Sequence, residues 1–135
     1  MTPAAARGLL DTSVFIALES GRPMNVERLP DQSVLCPVTI AELQAGVLIA
    51  ADVDIRARRL ATLESTADIE VLAIDAEVAA EWARLRVLLA ESGRRVNVND
   101  LWIAATAAAH GLPVVTQDDD FDPLHDVTGF DVIRV

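Results

Sequence analysis

The chain has 135 residues, 52% of them hydrophobic and 24% charged, and its 21 acidic residues against 11 basic ones give a formal net charge of −10. That length and balance describe one folded domain, residues 1–135, and exclude a disordered or fibrous chain. The charge excludes binding of nucleic acid by bulk electrostatics and points to a basic protein partner, to cations, or to both.

Gly8-Leu9-Leu10 reads as a short strand ending at Asp11, and Asp11, Thr12 or Ser13 caps a helix that runs to Ser20. Gly21-Arg22-Pro23 breaks that helix, and residues 24–32 read as loop or a short helix. SVLCPV, 33–38, is the second strand, and TIAELQAGVLIA, 39–50, the helix after it. A third helix covers DIRARRLATLEST, with Ile55, Leu60 and Leu63 on one side. IEVLAI, 69–74, is the third strand. Asp75 caps a long helix whose apolar stripe is Val78, Trp82, Leu85 and Leu89, and Gly93 suits its end. Asn97 or Asn99 opens a helix that Gly111 closes. LPVVT is the fourth strand, His125 lies in a late loop, and DVIRV closes the chain as the fifth strand.

Strands alternating with helices predict an α/β fold with a parallel sheet covered on both faces. Ligands of such sheets bind beyond the carboxyl ends of the strands. Cys36 is the only cysteine, which excludes an internal disulfide; inside an apolar run it reads as a small buried hydrophobe and suits a reducing compartment. The sequence shows no signal-peptide pattern and no apolar run of membrane-spanning length, so a cytoplasmic protein without a membrane is expected.

Four acidic positions, far apart in the chain, are sent to that one edge. Asp11 and Asp118 follow strands, and Glu42 and Asp100 lie in the first turns of helices that begin there. Each has a plain alternative. Asp11 and Asp100 can cap helices, Thr39-Ile-Ala-Glu42 fits a capping box, and Asp118-Asp119-Asp120 fits a solvated turn. Together they are harder to explain so. Two carboxylates ~4 Å apart repel by ~4 kcal/mol at an effective dielectric of 20, so a cluster must hold a proton, spread, or bind a cation. An all-oxygen set favours Mg²⁺ or Mn²⁺. Zinc lacks clustered cysteine or histidine, and nothing pairs His110 with His125 for acid–base work. No nucleotide-binding GxGxxG or GxxxxGK occurs. The absence of lysine counts against receiver domains and acid-cluster phosphatases, which use one in the site.

LLDTS at 9–13, TIAELQAG at 39–46, NDLWIAA at 99–105 and VVTQDDDF at 114–121, in this order, resemble the PIN-domain family, and more narrowly the ribonuclease toxins of VapBC toxin–antitoxin pairs. The resemblance runs essentially end to end. It implies a three-layer α/β/α domain with a central, mostly parallel five-stranded sheet, and a Mg²⁺-dependent endoribonuclease with Mn²⁺ as substitute. By motif it implies Asp11, Glu42, Asp100 and Asp118 as catalytic and metal-holding acids and Asp120 as a further ligand. Asp119 matches no family acid. A metal-activated water would hydrolyse RNA, leaving a 5′-phosphate. A VapB-like antitoxin, an RNA substrate, a homodimer and a larger toxin–antitoxin assembly are the implied partners.

Ser13 and Thr116 can hold a water or a carboxylate in place, or simply bond the backbone where they stand. Asn99 is a helix cap or a substrate contact. Arg94 and Arg95, a short loop before Asp100, are placed to grip RNA phosphates. Trp82 and Trp102 read as packing residues. The non-enzyme alternative is an acidic module that only docks a basic protein.

Overall fold

The computed structural model describes residues 5–135. Its strands are β1 (Arg7–Leu10), β2 (Gln32–Leu35), β3 (Glu70–Val71), β4 (Val114–Thr116) and β5 (Val132–Arg134). Its helices are α1 (Thr12–Ser20), α2 (Pro37–Ile49), α3 (Val53–Glu64), α4 (Ala76–Glu91), α5 (Val98–Ala109) and α6 (Asp122–Thr128). The strands form one sheet in the order β3-β2-β1-β4-β5, and every neighbouring pair is parallel.

Successive residues of a strand face opposite sides, and here both sides are apolar. Leu9, Val34 and Val114 turn to one face, where Val78, Leu85 and Leu89 of α4, Leu101 and Ile103 of α5 and Leu124 of α6 cover them. Leu10, Leu35 and Val115 turn to the other, under Val14 and Phe15 of α1 and Leu43 of α2, with Leu63 of α3 beside them. Two cores on one sheet give the three layers that the alternation implies. Cys36 is fully buried, in contact with Thr106, and burial pushes its thiol above the usual range. Among the described residues no helix is long and apolar enough to cross a membrane.

Helix starts follow their caps. Asp11, Asp52, Asp75 and Asn97 each accept a backbone N–H of the first turn of α1, α3, α4 and α5. Three departures from the sequence reading go beyond a residue or two at an element's end. The second strand stops at Leu35, because Pro37 takes the first position of α2, where its missing N–H costs nothing. The third strand keeps only Glu70 and Val71, an exposed edge, although the Leu72 N–H still donates to the Leu35 carbonyl at 2.8 Å. Asp122–Thr128, where the sequence reading placed His125 in a loop, form α6, with Pro123 in its first turn and Gly129 ending it at φ 73°. His125 therefore sits on a helix.

β1 is central: the chain runs outward from it through β2 to β3 on one side, then crosses over to β4 and β5 on the other. The switch point of the sheet is thus the gap between the carboxyl ends of β1 and β4. Those two strands lie close at Gly8, where a Cβ would stand 2.9 Å from Val115 Cγ2 and 3.1 Å from Pro30 Cγ. Gly8→Ala is therefore expected to lower stability by roughly 1–3 kcal/mol through overpacking. The measurement is urea denaturation, with a lower midpoint at unchanged slope; an unchanged midpoint would mean that the Val115 and Pro30 side chains both give way.

Candidate active site

Beyond the switch point lies a cavity of about 350 Å³ lined by Asp11, Glu42, Asp100, Asp118 and Asp120. Each arrives by a different route. Asp11 ends β1 and caps α1, its backbone N–H held by the Val115 carbonyl at 2.8 Å. Asp118 and Asp120 lie on the turn after β4. Glu42 stands in the second turn of α2, and Asp100 in the first turn of α5.

The best-fixed group is Asp11, which is 4% exposed. Its Oδ2 accepts from the Ser13 hydroxyl at 2.7 Å, the Thr116 hydroxyl at 3.0 Å and the Ser13 N–H at 3.4 Å. Those hydroxyls in turn accept backbone N–H groups: Gln117 donates to Ser13 Oγ and Asp118 to Thr116 Oγ1, both at 3.0 Å. The acidic turn is thereby tied to the start of α1. Glu42 is no capping-box partner of Thr39, which lies inside α2 and is fully buried. Glu42 Oε1 instead accepts from the Thr12 hydroxyl at 2.7 Å.

The electrostatics follow from the crowding. Burial, and then repulsion by Asp11, Asp120, Glu42 and Asp118, pushes Asp100 from 3.8 up to about 7. Asp120 is raised by the burial of its carboxyl first, although the residue is largely exposed, and then by Asp118 and Asp119. The donor set is all oxygen, with no histidine or cysteine, which fits a hard divalent cation rather than zinc. Among the described residues no three such groups stand close enough to hold an ion as they are. The carboxylates ring the cavity, spaced as like charges are, so an ion would require them to turn inward.

Of the supporting residues expected from sequence, Ser13 and Thr116 reach the site and Asn99 does not. Asn97 caps α5 and lines the cavity, while Asn99 is an exposed first-turn residue whose N–H donates to Asn97 Oδ1 at 2.8 Å. Arg94 and Arg95 line neighbouring cavities instead. Thr12 and Arg22 were not anticipated. Among the described residues Arg22 is the one cation on the cavity wall, brought there by the turn at Gly21, whose φ is 71°. The Gly-Arg-Pro break was visible in the sequence, but not where it would aim the guanidinium. Trp82 and Trp102 stack with centroids 5.0 Å apart, away from the carboxylates, as packing residues.

The PIN-domain family model matches residues 8–125. The chain is 60% identical over 134 residues to Ribonuclease VapC5 of Mycobacterium tuberculosis, covering 99% of this chain and 98% of that protein. It is 43% identical over 122 residues to Ribonuclease VapC4 of the same organism, covering 90% and 93%. The structure matches the crystal structure of VapBC-5, a member of the VapBC family of toxin–antitoxin systems from M. tuberculosis. The TM-score is 0.90 at 57% identity, over 96% of this chain and 99% of that one.

Two outcomes are expected. Between pH 3.8 and about 7 folded Asp100 keeps a proton that the unfolded chain releases, so its contribution to stability falls as pH rises through that window. In metal-free buffer Asp100→Asn should then be more stable than the parent at pH 8, by roughly 1–3 kcal/mol after allowing for solvent screening. The gain should vanish near pH 4, as thermal melts at the two pH values would show. Thr116→Val keeps the shape but removes a donor to Asp11 and an acceptor for the Asp118 N–H. It should cost about 1–3 kcal/mol in denaturant titration.

Proposed function

This chain belongs to the PIN-domain family, and within it to the VapC ribonucleases, and on that footing we propose that it is the toxin of a type II toxin–antitoxin pair, an endoribonuclease that uses Mg²⁺, or Mn²⁺ in its place, to hydrolyse RNA at the carboxylate cavity. The observation that carries this reading is the meeting of Asp11, Glu42, Asp100, Asp118 and Asp120 around one cavity at the switch point of the sheet.

Asp11, Asp100 and Asp118 would hold the ion, with Glu42 and Asp120 completing the oxygen set. When bound, the ion lowers the pKa of a water and offsets charge on the attacked phosphodiester. Ser13 and Thr116 fix the direction of the Asp11 carboxylate through Oδ2, so that Oδ1 has no donor among the described residues. To hold an ion, Asp100 would have to give up the proton it keeps near neutrality, so loading would become easier as pH rises. Whichever of Asp118 and Asp120 is left free of the ion would orient the attacking water or accept its proton, since neither carboxylate is engaged by a side-chain donor among the described residues. In-line attack would break the bond from phosphorus to the 3′ oxygen, which takes a proton from solvent, leaving a 3′-hydroxyl and a 5′-phosphate.

The substrate in this reading is single-stranded or loop RNA, and the inhibitor is a VapB-like antitoxin. Leu48, Ile49 and Val53, at the turn from α2 to α3, are 78%, 79% and 80% exposed, an apolar surface that suits a protein partner. The net charge of −10 suits a basic one. A homodimer and a larger toxin–antitoxin assembly belong to the same proposal.

Partner-free protein is expected to cleave RNA with Mg²⁺ and to stop when a chelator is added. Asp11→Asn and Asp100→Asn should each lose on the order of 100-fold or more in rate, the scale of a lost catalytic group. The readout is gel analysis of end-labelled RNA. Cleavage that survives chelation, or equal cleavage by the variants, would reject the metal mechanism. No cleavage of any RNA would leave an acidic module that docks a basic protein.

A further inference from the structure

Beside the carboxylate cavity runs a second and larger one, about 780 Å³, between the end of α4 and the start of α5. Its apolar lining is Leu89 and Leu101, both buried, and the half-exposed Val98, and the exposed Arg86, Arg94 and Arg95 line it as well. In a chain with net charge −10, that gathers three of its 11 basic residues around one depression. Among the described residues neither Arg86 nor Arg95 has a carboxylate within salt-bridge reach. Arg94 pairs with Asp126 at 3.3 Å, but both side chains are about half exposed, and such a pair yields readily to a competing anion. Arg86 also lies over the ring of Trp82, 5.4 Å from its centroid, which limits its freedom.

The cleft adjoins the site. Asn97 lines both this cavity and the carboxylate cavity, and Arg94 and Arg95 line a third depression that shares Asn97, Asp100 and Asp120 with the carboxylate cavity. A strand with one phosphate at the carboxylates and its neighbours over Asn97 therefore meets guanidinium groups next. Fixed cations hold phosphates, and an apolar lining takes the face of a base; together they are the usual parts of a single-strand groove. A volume near 780 Å³ falls in the range of about 300–1,000 Å³ typical of ligand pockets.

We propose that the RNA flanking the cut linkage lies in this α4–α5 cleft, with Arg95 and Arg86 holding its phosphates and the Leu89–Val98–Leu101 lining taking a base. The cleft positions the strand and takes no part in the bond-breaking step. The assignment rests on the ribonuclease reading above and adds to it the path of the substrate.

The test compares Arg86→Ala, Arg95→Ala and the double variant with the parent on a single-stranded RNA of about twelve nucleotides. The double variant should raise KM about tenfold or more, the loss expected for charge-assisted contacts, and leave kcat at saturation within about twofold. In an Asp11→Asn background, which does not turn over, the slope of log Kd for the same RNA against log salt should shrink by about 1.4, at ~0.7 per lost phosphate contact. The charge-keeping double variant Arg86→Lys/Arg95→Lys should recover most of the loss, which separates phosphate binding from a folding defect. Parent-like KM and salt slope in the alanine double variant would overturn the proposal. So would a loss of antitoxin binding or of self-association with RNA kinetics unchanged, which would give the cleft to an acidic protein segment or to a second copy. A parent that cleaves no RNA would instead sink the ribonuclease reading itself, a result distinct from all of these.

Discussion

One carboxylate oxygen organises the working end of this molecule. Asp11 Oδ2 draws in the hydroxyls of Ser13 and Thr116, and these receive the backbone N–H groups of Gln117 and Asp118. The two central strands β1 and β4 are thereby joined at their carboxyl ends by side chains as well as by their ladder. Three consecutive aspartates would splay into solvent if left to their mutual repulsion. Here the backbone that carries them is pinned before the side chains are considered. Asp11 serves as helix cap, strand terminus and cavity wall at once, so its plain structural role and its chemical one are a single arrangement.

The rest of the fold works against a local electrostatic conflict. Five carboxylates face one cavity, and the half charges at the starts of α1, α2 and α5 offset only part of that. Asp100, by its burial first and by that repulsion second, holds its proton to about neutrality. What keeps the ring together is the aliphatic packing beneath it. Ala104, Ala105 and Ala107 are fully buried and let α5 lie close on the sheet, and Phe121 is buried directly after the acidic turn. The site is stable because its supports are dry, while the acids themselves favour a looser arrangement. Stability and chemistry pull in opposite directions here, as they do at many active sites.

Much of this was legible in the sequence because the relevant signals are local. The strands at Leu9-Leu10, Val34-Leu35 and Val114-Val115 are apolar on both faces, which only a doubly covered sheet requires. Asp75 precedes its helix as a cap should. The convergence of Asp11, Glu42, Asp100 and Asp118 followed from topology alone. What escaped depends on contacts across the fold. Thr39-Ile-Ala-Glu42 satisfies a capping pattern in sequence, and only the approach of α1, which brings Thr12 to Glu42, shows that the pattern is incidental. Asn97 and Asn99 are equally good caps on paper; the turn of the chain before α5 selects the first and aims it at the cavity. Helix α6 is seven residues long, starts without a side-chain cap and is held by the burial of Leu124, a tertiary effect. Arg22 reaches the cavity only because Gly21 adopts a left-handed conformation.

The margins of the sheet also bear on how the molecule meets others. β3 is two residues long, and β5, at the opposite margin, is three. β3 carries a charged residue, Glu70, tied to Arg7 at 3.2 Å, and β5 carries Arg134, tied to Asp122 at 3.2 Å. Borders so short and so charged offer little template for an added strand, which guards against edge-to-edge aggregation. Recognition by strand addition is disfavoured at both margins, which leaves the helical layers and the rim of the cavity as the surfaces better suited to a partner.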